Sequence, residues 1–542
     1  MQIEVSESHT TVAPAKDYAA IGWKAVGGFS IAAFGCVLAL LIELPAISSG
    51  DGPVHVYYAS VMRWLILGDP WYMRVYSIRH IVQPYCLHYW LLSSLLWISS
   101  PATAEKLLVL LAVLVSWTGL ARAIRAFCPD TPALYTWILP LVLTWSLAGG
   151  FYNFCLASGF LFHAIAEWTG LRRTGRVQHL CGVIALVALL ALSHPLPLLM
   201  LAGYVSLEML LGCRMTNPES SRKTLIAGVL VLAALAAPAL VYDHSRMANE
   251  FHFGFHQLAA QFIFTGECVD FFTFNGYHFA YRLALICFPV IAAISLLSGF
   301  IGRFRMRRLD QGDVLLLTAC IVLIAASFLP STLNGALYGE RRLAALAWPI
   351  LCIALATRPM KQLLPVRLFA TVGCAMTLAA VLSLGGTLQP AAELMREMEQ
   401  APLPMFRTGL FLESDAGLRK TQGSGYAVAY WAGVRGFISK HDLLLNSPWL
   451  SETHIALQEQ PGAGLLNGLV DQEEINTPVH LYESLLISPS LRREISKRID
   501  FAVIVDPSER PSQQLYAALD PSYSWVCQAK RGAYAICVKR MR

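Results

Sequence analysis

Long runs of apolar residues, separated by short polar segments, fill most of the first 386 residues of this 542-residue chain. A helix needs about 17 to 25 apolar residues to cross the hydrocarbon core of a bilayer. Runs close to this length lie at 26–47, 104–121, 133–148, 152–170, 178–194, 196–213, 224–242, 282–302, 314–330, 342–357 and 367–386. The pattern predicts a polytopic α-helical membrane protein with about eleven transmembrane helices.

The first apolar run follows a polar N-terminal segment of residues 1–25. At 26–47 it is longer than the apolar core of a signal peptide, which has about 7 to 15 residues. We therefore interpret it as an uncleaved signal anchor that leaves the N-terminus in the cytoplasm. The small residues between Pro45 and Gly50 also resemble a cleavage site, so removal of this segment is the alternative.

The basic residues predict the orientation of the spans, because Lys and Arg are enriched in cytoplasmic loops. With the N-terminus inside, the cytoplasmic loops hold Arg122, Arg125, Arg172, Arg173, Arg176, Arg214, Arg222, Lys223, Arg303, Arg305, Arg307, Arg308, Arg358, Lys361 and Arg367. The opposite loops hold Arg63, Arg74, Arg79, Arg246, Arg282, Arg341 and Arg342. This segregation requires that the apolar stretch from Pro84 to Ser99 lies in or dips into the outer leaflet without crossing it.

The predicted orientation divides the rest of the chain into two parts. Residues 26–386 form the multi-helix transmembrane domain, with one outer loop at 48–103 that contains juxtamembrane helices and another at 243–281. Residues 387–542 are richer in charge and form a soluble extracytoplasmic α/β domain. Its strand content follows from the buried-strand pattern Phe501–Asp506 and from a predicted hairpin of 523–530 with 533–539.

Composition supports a membrane protein and argues against a nucleic-acid partner. The chain is 56% hydrophobic and 14% charged, whereas soluble domains carry about 25% charged residues. The net charge of +6 comes from short basic clusters between apolar runs, which a topological role explains. The uncleaved anchor and the absence of an N-glycosylation sequence favour a bacterial inner membrane.

The thirteen cysteines show no CxxC pair and no Cys/His ligand spacing, so the sequence predicts no metal cluster. Cys527 and Cys537 flank the turn of the predicted hairpin. A disulfide between them would fit an extracytoplasmic domain. Two buried thiols are the alternative, and the sequence by itself favours the thiols.

The first outer loop carries the most informative polar residues. It opens with Gly50-Asp51-Gly52-Pro53-Val54-His55, which places a carboxylate at the membrane surface directly after the first span. Arg79-His80 and Gln83-Pro84 follow among aromatic residues. In the simpler interpretation, Asp51 caps the next helix and Asp69-Pro70 forms a turn. Polar groups at membrane depth are costly, however, and tend to line functional sites.

This loop resembles the corresponding segment of the GT-C membrane glycosyltransferases, which take sugars from lipid-phosphate donors. In that family a large outer loop with juxtamembrane helices follows the first span and contains an early acidic residue, which Asp51 matches. The segment from Arg79 to Ser99 is similar to the family's approach to its outer-leaflet helix. The resemblance implies that Asp51 is the general base of an inverting transfer. Many members have paired acids here, whereas Gly52-Pro53 follows Asp51, so a requirement for a divalent metal ion stays open and no cofactor is assigned.

Sugar transfer also needs cations that stabilise the departing phosphate. The candidate substrate-binding residues lie in the first outer loop or at another outer helix end, and they are His55, Arg79, His80, Gln83, Arg341 and Arg342. Arginine suits phosphate because its fork donates two parallel hydrogen bonds. For Arg341 and Arg342, snorkelling to the membrane interface is an equally weighted alternative.

The second outer loop contains a looser polar group among aromatic residues, namely Asp243, His244, His252, His256, Glu267, Asp270 and His278. We favour a surface for a sugar or an acceptor over a metal site, because no HExxH occurs and Gly254 interrupts the His252–His256 pair. Outside this loop, His194 and Asn153 are interpreted mainly as helix-capping residues.

Together these features predict a membrane glycosyltransferase that moves a sugar from a polyprenyl-phosphate donor to a glycan, lipid or protein acceptor on the extracytoplasmic face. Its other partner is membrane lipid, with no nucleic acid. A transporter or lipid flippase is one alternative, and a non-catalytic membrane assembly protein is another. The scarcity of charged residues within the spans argues against an ion-coupled pump.

Overall fold

The structure is a computed structural model. It describes residues 16–47, 49, 51–70, 72–74, 76–78, 84–129, 132–211, 218–241, 309–328, 332–333, 336–337, 339–357, 366–388, 408–413, 438–439, 457–459, 485–505, 519–530 and 534–540. The second outer loop and the predicted span at 282–302 therefore lie outside the described residues.

Helices make up most of the described chain. The α-helices are α1 (Lys16–Glu43), α2 (Gly52–Ile66), α3 (Leu87–Leu95), α4 (Pro101–Phe127), α5 (Ile138–Val142), α6 (Trp145–Ala148), α7 (Tyr152–Thr174), α8 (Val177–Ser193), α9 (Pro195–Leu210), α10 (Pro218–Val241), α11 (Gln311–Phe328), α12 (Gly339–Ala356), α13 (Val366–Leu388) and α14 (Pro489–Arg498). The strands are β1 (Tyr76–Ile78), β2 (Thr332–Leu333), β3 (Ala336–Leu337), β4 (Thr408–Glu413), β5 (Ile438–Ser439), β6 (Leu457–Glu459), β7 (Phe501–Val505), β8 (Trp525–Lys530) and β9 (Tyr534–Lys539).

Two of the described helices, α4 and α7, are long and apolar enough to cross a membrane on length and composition alone. Shorter apolar helical stretches of 10–17 residues lie in α1, α8, α9, α11, α12 and α13. The apolar stretch from Pro84 to Ser99 contains only the nine-residue helix α3. At 1.5 Å per residue α3 is about 14 Å long, which is less than half of the hydrocarbon thickness of about 30 Å.

The run at 133–148 is not one continuous helix, which corrects its prediction as a simple span. It consists of a 3₁₀-helix at Pro132–Trp137 followed by the short helices α5 and α6. Pro140 lacks the N–H that would bond the carbonyl of Thr136, and that carbonyl instead accepts from Thr377 Oγ1 at 2.6 Å. The Tyr135 carbonyl accepts from Ser30 Oγ at 3.0 Å. Side chains of α13 and α1 thus satisfy backbone groups that the broken helix leaves open, as a nonpolar environment requires.

Polar contacts show which helix ends lie together. Arg122 of α4 forms an ion pair with Glu167 of α7, and Lys223 of α10 donates to the Gly175 carbonyl after α7 at 2.9 Å. The basic residues of successive loops therefore gather at one end of the bundle, which we call the basic end. The start of α2 contacts the turn before α7, at the other end of that helix. We call that opposite end the Asp51 end.

Helices α4 and α7 pack closely because both carry glycine at the contact. A Cβ on Gly119 would lie 2.4 Å from the Gly159 carbonyl oxygen, and a Cβ on Gly159 would lie 2.7 Å from the Ser116 nitrogen. Ser116 Oγ also donates to the Cys155 carbonyl at 2.9 Å. Small residues that let two backbones approach are typical of helix contacts in membranes. This contact holds the N-terminus of α7 beside the N-terminal half of α4.

The described C-terminal strands form a five-stranded mixed sheet in the order β5-β4-β7-β9-β8. Strand β4 pairs in parallel with β5 and β7, whereas β9 pairs antiparallel with β7 and β8. Strand β7 and the β8–β9 hairpin coincide with the patterns that the sequence predicted. The interpretation of Cys527 and Cys537 as two free thiols is wrong, because they face each other in the β8–β9 register and form a disulfide.

The C-terminal region contacts the first outer loop. Strand β1 of that loop pairs antiparallel with β6, with Tyr76 opposite Glu459. Phe501 and Ile536 of the large sheet belong to the same apolar cluster as buried residues of α1, α2 and α4. The sheet therefore shares an apolar cluster with α1, α2 and α4.

Candidate functional site

Asp51 precedes helix α2, and backbone contacts with the turn before α7 set its position. Its N–H donates to the Gly149 carbonyl at 2.8 Å. Gly150 has φ +79°, and a Cβ there would lie 2.2 Å from the Gly52 nitrogen. Glycine is the residue that tolerates both this φ and this close approach. The Gly149-Gly150 turn thus supports the Asp51-Gly52 backbone directly.

The carboxylate of Asp51 does not cap its helix, which corrects the simpler interpretation. Asp51 is the N-cap residue, but its backbone has helical dihedral angles and its side chain makes no capping hydrogen bond. A capping side chain needs an extended backbone at that residue. The turn interpretation does hold for Asp69, whose Oδ1 accepts from the Tyr72 N–H at 3.3 Å. The half-buried Asp51 carboxylate lies at a helix N-terminus, where the helix dipole stabilises negative charge.

Three buried oxygen-bearing side chains pack against the next residue, Gly52. Tyr152 Oη donates to Glu105 Oε1 at 2.6 Å, and Ser49 Oγ lies 2.8 Å from Tyr152 Oη and 3.4 Å from Glu105 Oε1. We call these three residues the Glu105 cluster. A Cβ on Gly52 would lie 2.0 Å from Ser49 Oγ, 2.2 Å from Tyr152 Oη and 2.3 Å from Glu105 Oε1. The cluster therefore occupies the space that any other residue at position 52 would need.

His55 lies one helical turn after Asp51 and contacts two side chains of α3. Its Nδ1 is 2.9 Å from Tyr89 Oη and 3.4 Å from His88 Nε2. Burial lowers the pKa of His88 well below its usual value, and the nearby His55 lowers it further. Burial also raises the pKa of Tyr89, and the Asp51 charge adds to that rise. Near neutral pH this group therefore offers a neutral imidazole and a neutral phenol beside the Asp51 carboxylate.

Arg342 is buried at the same end of the bundle, so snorkelling does not explain its position. Its side chain is 7% exposed, and its guanidinium lies 4.1 Å from the centre of the Phe151 ring. Arg342 Nη1 is 3.1 Å from His194 Nε2, while His194 Nδ1 is 3.2 Å from the Leu196 N–H that it caps. A neutral imidazole has one acceptor nitrogen, so these two donors compete for the His194 ring.

Tyr85 adds a strained backbone to this region. Its φ of 70° is positive, a conformation that a bulky residue adopts at a cost of about 1 to 3 kcal/mol. Its ring meets the His194 ring edge to face with the centroids 4.8 Å apart. Such strain persists where the surrounding structure enforces it, and it occurs often at functional sites. Here it brings the segment before α3 against His194, which contacts Arg342.

Three of the predicted site residues, Asp51, His55 and Arg342, lie at the same end of the bundle. Asp51 and Arg342 are connected through the short segment 149–151, since Gly149 bonds Asp51 and Phe151 lies against Arg342. Arg79, His80 and Gln83 lie outside the described residues, as does the side chain of Arg341. Their predicted roles remain predictions.

Sequence reasoning missed several neighbours of Asp51, namely Glu105, Tyr152, His88 and Tyr89. Glu105 had a usable signal, because a carboxyl at the start of the apolar run 104–121 is costly unless it has a role. His88, Tyr89 and Tyr152 had none, since single aromatic or imidazole side chains in apolar segments are common at membrane interfaces.

The other buried charged residues of the described helices lie near helix ends. At the basic end, Glu208 of α9 pairs with Arg172 of α7 at 3.3 Å and accepts from Gln311 of α11 at 2.9 Å. This contact fastens three helices together. Within the described residues no group of three or more His, Cys, Asp or Glu side chains is placed to hold a metal ion.

Comparison of the fold with solved structures finds similar architectures. No protein-family model and no curated protein sequence matches the chain. Two crystal structures of ArnT from Cupriavidus metallidurans do match, each covering 96% of this chain and 98% of ArnT with a TM-score of 0.51. One is the apo state, at 13% sequence identity, and the other is bound to undecaprenyl phosphate, at 11%. The chain therefore shares the overall fold of these ArnT structures, which agrees with the family-level resemblance that the sequence indicated.

Proposed function

We propose that this protein is an inverting membrane glycosyltransferase that transfers a sugar from a polyprenyl-phosphate donor to an acceptor on the extracytoplasmic face. The observation that carries the proposal is the segment 149–151, which joins the Asp51 backbone to the buried Arg342 guanidinium. A base and a phosphate-binding cation thereby lie at the same end of an ArnT-like fold. The ArnT structure bound to undecaprenyl phosphate supports a polyprenyl phosphate as the lipid part of the donor.

In this proposal Asp51 is the general base. The acceptor hydroxyl oxygen forms a bond to the anomeric carbon of the sugar while the bond from that carbon to the phosphate oxygen breaks. Asp51 takes the hydroxyl proton, and the electron pair of the broken bond leaves with the polyprenyl phosphate. A positioned base of this kind contributes about 10²- to 10⁴-fold to the rate. Asp51 is half-buried rather than fully buried, which is compatible with contact with an acceptor.

Arg342 binds the donor phosphate in the same proposal. Its burial against Phe151 leaves little water to screen its charge, and a preorganised cation in such a site stabilises the charge that develops on the leaving group. Its guanidinium can form two parallel hydrogen bonds to phosphate oxygens. Donation to a phosphate also relieves the competition between Arg342 and the Leu196 N–H for His194.

The placement of the buried charges disfavours an ion-coupled transporter. In the described helices they all lie within the first or last turns, as Glu105, Arg172, Glu208, Asp313 and Arg342. Proton and ion relays place such residues deep within the spans. A lipid flippase or an assembly protein needs no general base, so the role of Asp51 separates both from the proposed enzyme.

The experiment is an activity assay on purified protein in lipid nanodiscs. A panel of polyprenyl-phosphate sugars is supplied with water or candidate glycans as acceptors, and release of polyprenyl phosphate is measured. We expect turnover with at least one donor and a loss of at least about 100-fold in Asp51→Asn, with donor binding retained. Asp69→Asn is the matched control, because that carboxylate caps a turn in the same loop. Equal turnover in the wild type and a folded Asp51→Asn protein would refute the assignment.

A further inference from the structure

The Glu105 cluster contains a polar group that the proposed reaction does not use. Glu105 is fully buried, and its Oε1 receives the hydrogen bond from Tyr152. Its Oε2 is buried without a hydrogen-bond partner among the described residues. A buried polar atom left unsatisfied destabilises a fold, and in a native protein it calls for an explanation.

The position of the cluster points to a role for Glu105 in placing its neighbours. Gly52 has two sets of close neighbours, the Glu105 cluster and Gly150. The cluster joins three parts of the chain: Ser49 after α1, Glu105 in the first turns of α4, and Tyr152 at the start of α7. The Gly52 backbone is continuous with Asp51, so a movement of these oxygens changes the position of the Asp51 carboxylate.

We propose that Glu105 is a positioning residue for Asp51, acting through the hydrogen bonds of its Oε1 with Tyr152 and Ser49 and through their contact with Gly52. This inference rests on the proposed function, because it assigns Glu105 a role in the reaction for which Asp51 is the base. Displacement of a reacting group by about 1 Å can lower a rate by about 100-fold. Glu105 does not touch the substrate, and its effect reaches the reaction only through Asp51.

The test is a double-mutant cycle between positions 105 and 51. Glu105→Ala removes the acceptor oxygen, whereas Glu105→Gln keeps a carbonyl oxygen for the Tyr152 hydroxyl. In the wild-type background we expect Glu105→Ala to lower kcat by about 10- to 100-fold with the donor KM unchanged. Glu105→Gln should restore kcat to within about twofold of the wild type. In the Asp51→Asn background, Glu105→Ala should cause no further loss, because residues that act as a unit are non-additive.

Stability is measured for every variant, because a loss of kcat is informative only in a folded protein. If Glu105→Ala does not fold, Tyr152→Phe replaces it in the same cycle, because it removes one hydroxyl and keeps the ring. Tyr204→Phe is the matched control: Tyr204 is a fully buried tyrosine of α9 in the other apolar cluster. We expect Tyr204→Phe to leave kcat unchanged in both backgrounds.

Two results would overturn the inference. The first is an equal loss of kcat from Glu105→Ala, or from its Tyr152→Phe substitute, in the wild-type and Asp51→Asn backgrounds, which would indicate a structural role. The second is a Glu105→Gln protein as slow as Glu105→Ala. Wild-type kcat in Asp51→Asn alone is a different result, because it refutes the proposed base and the positioning role falls with it, whereas the first two results leave the base in place.

Discussion

Replacement of Arg342 by lysine tests whether a buried guanidinium binds the donor phosphate. Arg342 is 7% exposed, stacks on Phe151 at 4.1 Å and lies 3.1 Å from His194. Lysine keeps the positive charge but loses the planar fork that forms two parallel hydrogen bonds. The variant therefore separates the geometry of phosphate binding from its charge.

The expected magnitude follows from the contacts that lysine cannot make. One hydrogen bond to a charged group contributes about 1.5 to 3 kcal/mol, and 1.4 kcal/mol corresponds to about tenfold in an equilibrium constant. Loss of one such bond to the phosphate should weaken donor binding by about 10- to 150-fold. The contact with Phe151 exists before the donor binds, so its loss should lower the stability of the protein rather than the affinity.

The assay is equilibrium binding of polyprenyl phosphate to the purified protein in nanodiscs, with thermal unfolding measured in parallel. Arg63→Lys is the matched control, since Arg63 donates to the Leu96 carbonyl at 2.6 Å and lies over the Trp64 and Trp97 rings. We expect this control to bind the lipid as the wild type does. Wild-type affinity in a folded Arg342→Lys protein would refute the phosphate-binding role.

Three further predictions concern topology, pH and the C-terminal sheet. A reporter fused after Arg542 should be active outside the cytoplasm and one after Arg308 inside it, and cytoplasmic activity at Arg542 would contradict the predicted orientation. His88 has a pKa well below 6.5 in the folded protein. The unfolded chain therefore binds more protons than the folded protein below about pH 6.5, so the free energy of unfolding should decrease as the pH is lowered, and more steeply in the wild type than in His88→Gln. Equal slopes of the thermal unfolding temperature against pH from 7.5 to 5 in the two proteins would contradict this. Cys527 and Cys537 should resist alkylation until a reductant is added, because they form a disulfide, and peptide mass spectrometry showing both alkylated without reductant would contradict it.

Local patterns predicted much of the fold because each span and strand leaves its own signature. The apolar runs around α4 and α7 were found from length and hydropathy, and β7 and the β8–β9 hairpin from short apolar and alternating segments. The break at 133–148 was missed, because its stability depends on hydrogen bonds from Ser30 and Thr377 that no local pattern encodes.

The sequence predicts where Asp51 lies, because an acid directly after the first apolar run is expected to be close to the membrane surface. The side chains that surround it are brought there by contacts between distant parts of the chain. Glu105 and Tyr152 are 47 residues apart, and His194 and Arg342 are 148 residues apart, yet each pair is in contact. Hydropathy reports the solvent that a residue meets, not its partner across the bundle. That partner is set by helix packing, here by the Gly119–Gly159 contact of α4 with α7 and by the Gly149-Gly150 turn beneath Asp51.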